Sequence, residues 1–305
     1  MTSEAAPEAA HVPVLLNEAM GFLAPRSSAL YCDATVGLGG HAARILQLSA
    51  PDGRLVGLDR DPQALSLAGA ALAPFGERVM LVHARFGSLG TVLQAMGKLP
   101  IDGCLVDLGV SSLQLDSPER GFSFQRAAPL DMRMDPSQGE TAAELLHRAE
   151  ETDIERILRD LGEERYAKKI ARAIVLARGQ STLSTTADLA DLIARAVPSR
   201  ERAKSPATRS FQALRIAVND ELGELERFLA EVPRCLRPGG RLVVISFHSL
   251  EDRIVKHRFR LLAGQGDGPR LRILTKHVVT ASEEERRRNP RSRSAKLRAA
   301  ERLPA

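Results

Sequence analysis

The chain has 305 residues, 44% hydrophobic and 27% charged, with 43 Lys and Arg against 38 Asp and Glu. At ~150 residues per domain this is one large or two ordinary domains with ample material for a core, which excludes a wholly disordered chain and a small stapled scaffold. Cys32, Cys104 and Cys235 are far apart and form no C-x-x-C pair, so no disulfide framework or zinc knuckle is encoded and buried, reduced thiols are expected.

Residues 1–10 hold two Glu and no Lys or Arg, lack the basic flank and apolar stretch of a signal peptide, and read as a disordered, frayed end. No run approaches the ~18 apolar residues of a membrane span. The next hundred residues alternate short apolar runs with helical patterns, the mark of βαβ units and a parallel sheet. Strands are predicted at 29–33, 54–59, 79–83 and 103–108, and helices at 41–48, 62–73 and 89–96. Asp61-Pro62 opens the second helix with a capping carboxylate and a proline suited to the first turn.

From 115 to 196 the strands stop. Helices are predicted at 142–149, 154–161, 167–177 and 187–196, with Thr152-x-x-Glu155 and Thr185-x-x-Asp188 as capping-box starts. A long helix over 208–236 then ends at Pro238-Gly239-Gly240, a strand follows at 241–247, and a helix at 250–262. The expected architecture is an α/β, doubly wound sheet domain built from 11–114 and 206–305. Residues 115–205 interrupt it as a helical insertion, far longer than a crossover requires.

The charge is uneven. From Glu251 onward there are 15 basic and 7 acidic residues, a balance of +8 that leaves −3 for residues 1–250. Such an asymmetry suits a polyanion, nucleic acid above all, and equally a solvated basic tail.

The densest motif is Asp33-Ala34-Thr35-Val36-Gly37-Leu38-Gly39-Gly40-His41, where the first strand turns into the first helix. Glycines there permit a tight turn and close approach of a ligand. Asp59 ends the next strand, where a carboxylate can accept from ribose hydroxyls. Together they point to a nucleoside-containing cofactor. Gly37-x-Gly39-x-x-Ala42 also satisfies the dinucleotide fingerprint, so NAD and an oxidoreductase remain in play. Asp33 argues against a pyrophosphate and for a sulfonium-bearing amino acid. The Leu236-Arg237-Pro238-Gly239-Gly240-Arg241 turn into an apolar strand resembles an arrangement of S-adenosylmethionine-dependent methyltransferases.

Along nearly its whole length the chain resembles the bacterial small-subunit (16S) ribosomal RNA cytosine-N4 methyltransferase family. The matching segments include His11-Val12-Pro13-Val14-Leu15-Leu16, the Asp33–His41 loop and Asp59-Arg60-Asp61-Pro62. Further matches are Asp107-Leu108-Gly109-Val110-Ser111-Ser112-Leu113-Gln114, Arg120-Gly121-Phe122-Ser123-Phe124 and Pro129-Leu130-Asp131-Met132-Arg133-Met134-Asp135. Gly162-Glu163-Glu164-Arg165, Pro206-Ala207-Thr208-Arg209-Ser210-Phe211-Gln212, Ser246-Phe247-His248-Ser249-Leu250-Glu251-Asp252-Arg253 and Asn289-Pro290-Arg291 complete the set. The resemblance implies a class I S-adenosylmethionine-dependent (Rossmann-like) fold and a cytoplasmic enzyme. That enzyme methylates the exocyclic amine of a decoding-centre cytidine, with 16S ribosomal RNA, within the small subunit, as its partner. It also implies that Gly39, Gly40, His41, Asp59, Phe86, Asp107 and Gln114 form the cofactor site. A non-catalytic RNA-binding assembly factor with the same fold is the competing class.

Roles follow from chemistry. Gly39 and Gly40 would admit the methionine end of the cofactor and Asp59 the ribose. Phe86 would cover adenine or simply be core, and His41 would donate to a carboxylate or sit on the surface. Cytosine N4 is a poor nucleophile, so alignment and electrostatics should dominate. Asp107 is the first candidate for that task and His248 the second. No H-e-x-x-H-type spacing encodes a metal site. Asp131, Arg133 and Asp135 read as a structural ion-pair loop. Arg253, Lys256, Arg258, Arg260 and the run 286–298 are candidate phosphate contacts.

Overall fold

The computed structural model describes residues 13–178, 183–198, 205–264 and 269–304. The expected frayed end at 1–10, and His11-Val12, lie outside these. In chain order the described elements begin with α1 (Leu16–Leu23), β1 (Leu30–Asp33), α2 (Gly40–Leu48), β2 (Arg54–Asp59), α3 (Pro62–Leu72), β3 (Val79–His83), α4 (Leu89–Ala95) and β4 (Ile101–Asp107). Then come α5 (Ser112–Asp116), α6 (Ala142–Arg148), α7 (Glu151–Gly162), α8 (Ala167–Arg178), α9 (Thr186–Ala196), α10 (Ala207–Asn219) and α11 (Glu221–Cys235). The chain continues through β5 (Leu236–Ser246), α12 (Ser249–Ala263), β6 (Leu271–Ile273), α13 (Glu283–Arg288) and β7 (Lys296–Arg302). Backbone contacts divide the chain into two units, residues 1–109 with 223–305, and residues 110–222.

The first unit is a sheet in the order β3-β2-β1-β4-β5-β7-β6. β3 through β5 pair in parallel, and β7 runs against both β5 and β6. Successive strand residues face opposite sides, so Val56, Cys104, Val106 and Val244 join one apolar layer with α4, α11 and α12. Leu55, Leu105, Val243 and Ile245 join another with α1 and α2. Both faces are covered, which is why these strands are apolar throughout rather than alternating. All three cysteines are buried and free.

The second unit has its own core, in which Leu146, Ile154, Leu158, Ile170, Ile174 and Ile193 are fully buried or nearly so. Capping boxes start α6 at Thr141 and α9 at Thr185. The Asp131–Arg133 pair closes at 2.8 Å beside them, the structural role expected of that loop.

Several expectations need correction. The helix predicted over 208–236 is two helices, broken at Asp220, whose φ of 49° is left-handed. The first of them, α10, carries Phe211, Ala213 and Leu214 into the helical core, so residues 206–222 pack with the second unit rather than with the sheet. Thr152 caps nothing, because α7 already starts at Glu151. The basic segment from Glu251 onward, read as an appended surface or a solvated tail, contains β6 and β7. Leu297, Ala299 and Ala300 of β7 are fully buried, because an inner strand must be apolar on its covered faces whatever its flanking charges.

Candidate functional site

The Asp33–His41 loop is fixed at both flanks. Ala34 N–H donates to Leu105 O and Val36 N–H to Leu58 O, each at 2.8 Å, so the loop is stitched to the strands on either side of β1. Gly37, at φ +52°, donates its N–H to Asp59 Oδ2 at 2.8 Å. Asp59 Oδ1 accepts the Asp61 N–H at 2.9 Å, and Asp61 caps α3 as expected. Gly39 N–H goes to Val36 O. The glycines divide their tasks in a way the sequence did not show. A Cβ on Gly40 would meet Pro13 Cγ at 2.4 Å and one on Gly39 would meet Leu72 Cγ at 3.2 Å, so both lie against protein. A Cβ on Gly37 would meet only Thr35 O, at 3.9 Å. Gly37 is the glycine that leaves room above the loop.

Three carboxylates converge there. Asp33 is buried, accepts the Thr35 N–H at 3.2 Å through Oδ1, and leaves Oδ2 buried without a partner. Burial, with repulsion from Asp59, pushes its carboxyl up to about 7 against the pull of that hydrogen bond. Burial raises Asp59 as well, opposed by the N–H groups of Asp61 and Gly37. Asp107, at the end of β4, has its own N–H held by Thr35 Oγ1 at 2.7 Å. Its Oδ1 is buried and unpartnered, while about a quarter of the side chain (24%) reaches the surface. Burial, then the charges of Asp33 and Glu251, raise its carboxyl well above the usual range.

His41 is buried, not on the surface. Its Nε2 lies 3.0 Å from Val14 O. A carbonyl only accepts, so Nε2 carries the hydrogen and Nδ1 faces Asp107 Oδ2 at 3.8 Å. Phe86 packs edge-on against Phe228, ring centres 5.7 Å apart. Its short turn is pinned from α11, where buried Glu224 accepts the Gly87 N–H at 3.0 Å.

Two expected site residues have other local work. Gln114 lies in the second unit, where it closes a capping box with Ser111 at the start of α5. His248 caps α12: Glu251 N–H reaches its Nδ1 at 3.5 Å and Glu251 Oε1 stands 3.2 Å from its Nε2. Glu251, overlooked as a site residue in the sequence, accepts the Phe247 N–H at 2.8 Å and adds its charge to that of Asp33 at Asp107. The signal for it was His248-x-x-Glu251, an unusual capping box with an imidazole in place of a hydroxyl.

This donor set suits a cationic ligand. Unpartnered oxygens of buried carboxylates are costly, and a positively charged amino acid or sulfonium relieves that cost. A pyrophosphate would meet three carboxylates and find the Gly37 and Gly39 N–H groups already used. Asp33 Oδ2, Asp107 Oδ1 and the open side of Gly37 therefore fit S-adenosylmethionine and not NAD.

A family model described as the MraW methylase family matches residues 8–303. The ribosomal RNA small subunit methyltransferase H of Nitratidesulfovibrio vulgaris is 52% identical over 314 residues, covering 98% of this chain and 97% of that protein. The proteins of the same name from Heliobacterium modesticaldum and Geotalea uraniireducens are 51% and 52% identical, each covering 96% of this chain and 98% of their own length. An rRNA methylase structure from Streptococcus thermophilus overlays with a TM-score of 0.44 at 12% identity, covering 97% of this chain and 100% of that one.

Proposed function

The chain belongs to the MraW methylase family, and on that premise we propose that it methylates the exocyclic N4 amine of a decoding-centre cytidine in small-subunit ribosomal RNA. It is an S-adenosylmethionine-dependent methyltransferase with the class I strand order, β7 being the reversed strand. The observation that supports the cofactor assignment most directly is the pair of buried, unpartnered oxygens on Asp33 and Asp107. S-adenosylmethionine supplies the methyl group.

The chain's residues do the rest. Asp33 holds a positive group, Asp59 keeps the loop open and offers its carboxylate to a ribose, and Phe86 covers the adenine. Asp107 orients the amine and takes up its proton as the new bond forms, the partly exposed carboxylate being reachable from outside. Burial and the charges of Asp33 and Glu251 raise its affinity for protons, the direction a proton acceptor needs. His41 lies beside Asp107, and His248 is tied to Glu251, whose charge reaches Asp107.

Methylation of naked ribosomal RNA compared with small subunits, followed by mapping of the modified base, tests the proposal. A product at cytosine N4 is expected, with assembled subunits the better substrate. RNA binding without transfer would instead make the chain an assembly factor. Among the described residues no helix is long and apolar enough to cross a membrane.

A further inference from the structure

A second basic feature lies away from the loop. A cavity of about 270 Å3 opens between α12 and the β6 edge, lined by Lys256, Phe259, Arg260, Ile273, Thr275 and Lys276, with Arg298 at its side. Lys256, Arg260 and Lys276 are exposed, and none makes an ion pair or hydrogen bond among the described residues. Arg298 differs, being held by Asp252 through two contacts of 2.7 and 3.2 Å. Among the described residues no carboxylate lines the cavity. The Thr275 hydroxyl at its base accepts the Ala299 N–H at 3.2 Å, so the floor is apolar and internally satisfied.

Three cations around this floor have no anionic partner among the described residues, so an anion from outside would offset them. The volume falls short of the ~300–1,000 Å3 of small-molecule sites, too small for a second cofactor and large enough for one phosphodiester with its sugar. Position narrows the partner further. β6 runs parallel to β5, because both oppose β7. Ile273–Lys276 therefore leaves the sheet in the same sense as Ser246–His248. β6 is three strand steps from β4, which at ~4.8 Å per step puts the cavity roughly 15 Å to the side of Asp107.

We propose that this cavity binds a backbone phosphodiester of the substrate RNA, a few nucleotides along the strand from the base presented to Asp107. The inference rests on the methyltransferase reading for its substrate and adds a contact that sets strand register. Among the candidate phosphate contacts it favours Lys256 and Arg260 of α12 over the arginine-rich run.

Lys256→Gln, Lys276→Gln and the double variant of the full chain test it. A small-subunit RNA fragment containing the target cytidine serves as probe, with log affinity followed against log salt. Each lost phosphate contact lowers the slope by ~0.7 for single-stranded RNA. The double variant should lose about one such unit, raise KM for RNA roughly tenfold and keep kcat and S-adenosylmethionine affinity. Lys256→Arg with Lys276→Arg should restore the slope, which a merely structural role would not require. An unchanged slope and KM in the double variant would overturn the proposal. Wild-type protein that binds this RNA but never methylates it would overturn the functional reading alone, because the slope is read from binding.

Discussion

His41 Nδ1 stands 3.8 Å from Asp107 Oδ2, while the opposite nitrogen of the same ring is tied to Val14 O. The contact links the start of α2 to the end of β4, so the glycine loop and the candidate proton acceptor share one buried imidazole. The spacing is too long for a hydrogen bond. His41 thus stands beside Asp107 without hydrogen-bonding it, and the buried Oδ1 has no protein partner.

Asp107→Asn should separate chemistry from binding. The amide keeps the shape and the Thr35 contact, which runs through the backbone N–H. Turnover at saturating S-adenosylmethionine should fall ~10²-fold or more, the usual loss when a positioned proton acceptor is removed, with RNA affinity little changed. Single-turnover methylation alongside RNA binding checks this. Unchanged turnover would leave Asp107 as a binding residue only.

Asp33 predicts an unusual pH dependence. Its carboxyl is raised from 3.8 to about 7, so between those values the folded state holds a proton that the unfolded chain has lost. Stability of the ligand-free protein should therefore fall as pH rises from about 4 to about 7, then level off, by at most ~4 kcal/mol. Asp33→Asn keeps the neutral form and should flatten most of that decline, leaving a remainder from Asp107. Affinity for the cationic cofactor should rise over the same window in the wild type and not in the variant. Thermal melts and calorimetry across pH measure both.

The sequence made the sheet legible because β1 to β4 are short apolar runs, β1, β2 and β4 largely buried, bounded by glycine, proline and aspartate. β2 and β3 fall where predicted, at Arg54–Asp59 and Val79–His83. β7 was illegible. Lys296, Arg298, Glu301 and Arg302 mask the alternation of Leu297, Ala299 and Ala300, and only pairing with β5 and β6 makes the strand. The α10–α11 break was missed because Asp220 adopts a left-handed conformation that costs a non-glycine residue little only in context. In the site, Asp33, Asp59 and Asp107 were readable from strand ends. The division of labour among Gly37, Gly39 and Gly40 was not, since it depends on Pro13 and Leu72 arriving from elsewhere.

The turn carrying Phe86 offers a test at one remove from the ligand. A Cβ on Gly87 would lie 2.3 Å from Glu224 Oε2 and 3.2 Å from Glu224 O, and Glu224 is itself buried and held by Arg227 at 2.8 Å. Gly87→Ala should destabilise the protein by ~1–3 kcal/mol, the usual cost of overpacking. Glu224→Gln retains an acceptor for the Gly87 N–H and should be milder. If Phe86 covers the adenine, Gly87→Ala should also weaken S-adenosylhomocysteine binding in calorimetry beyond what the melting shift explains, and Phe86→Leu should do so with little loss of stability.

The arginine run at the C-terminal end of α13 gives the last test. Arg286, Arg287 and Arg288 follow Glu283, Glu284 and Glu285 directly, so the six-residue helix carries no net charge. Arg287 stands 3.7 Å from Glu283, Arg288 pairs with Glu284, and Glu285 accepts the Leu15 N–H at 2.7 Å. The two ion pairs are exposed and each is worth no more than ~1 kcal/mol, yet the neighbouring glutamates cancel the field that would draw in a phosphate. Replacing all three arginines with serine should therefore lower the salt slope of RNA binding by less than one contact, below ~0.7. Cofactor affinity should be unchanged, because the helix touches the α1 entrance rather than the glycine loop. Titrations of labelled RNA at several salt concentrations decide the matter. A slope lower by ~2 would mean that the arginines leave their glutamates for phosphates, and that the run belongs to the RNA surface after all.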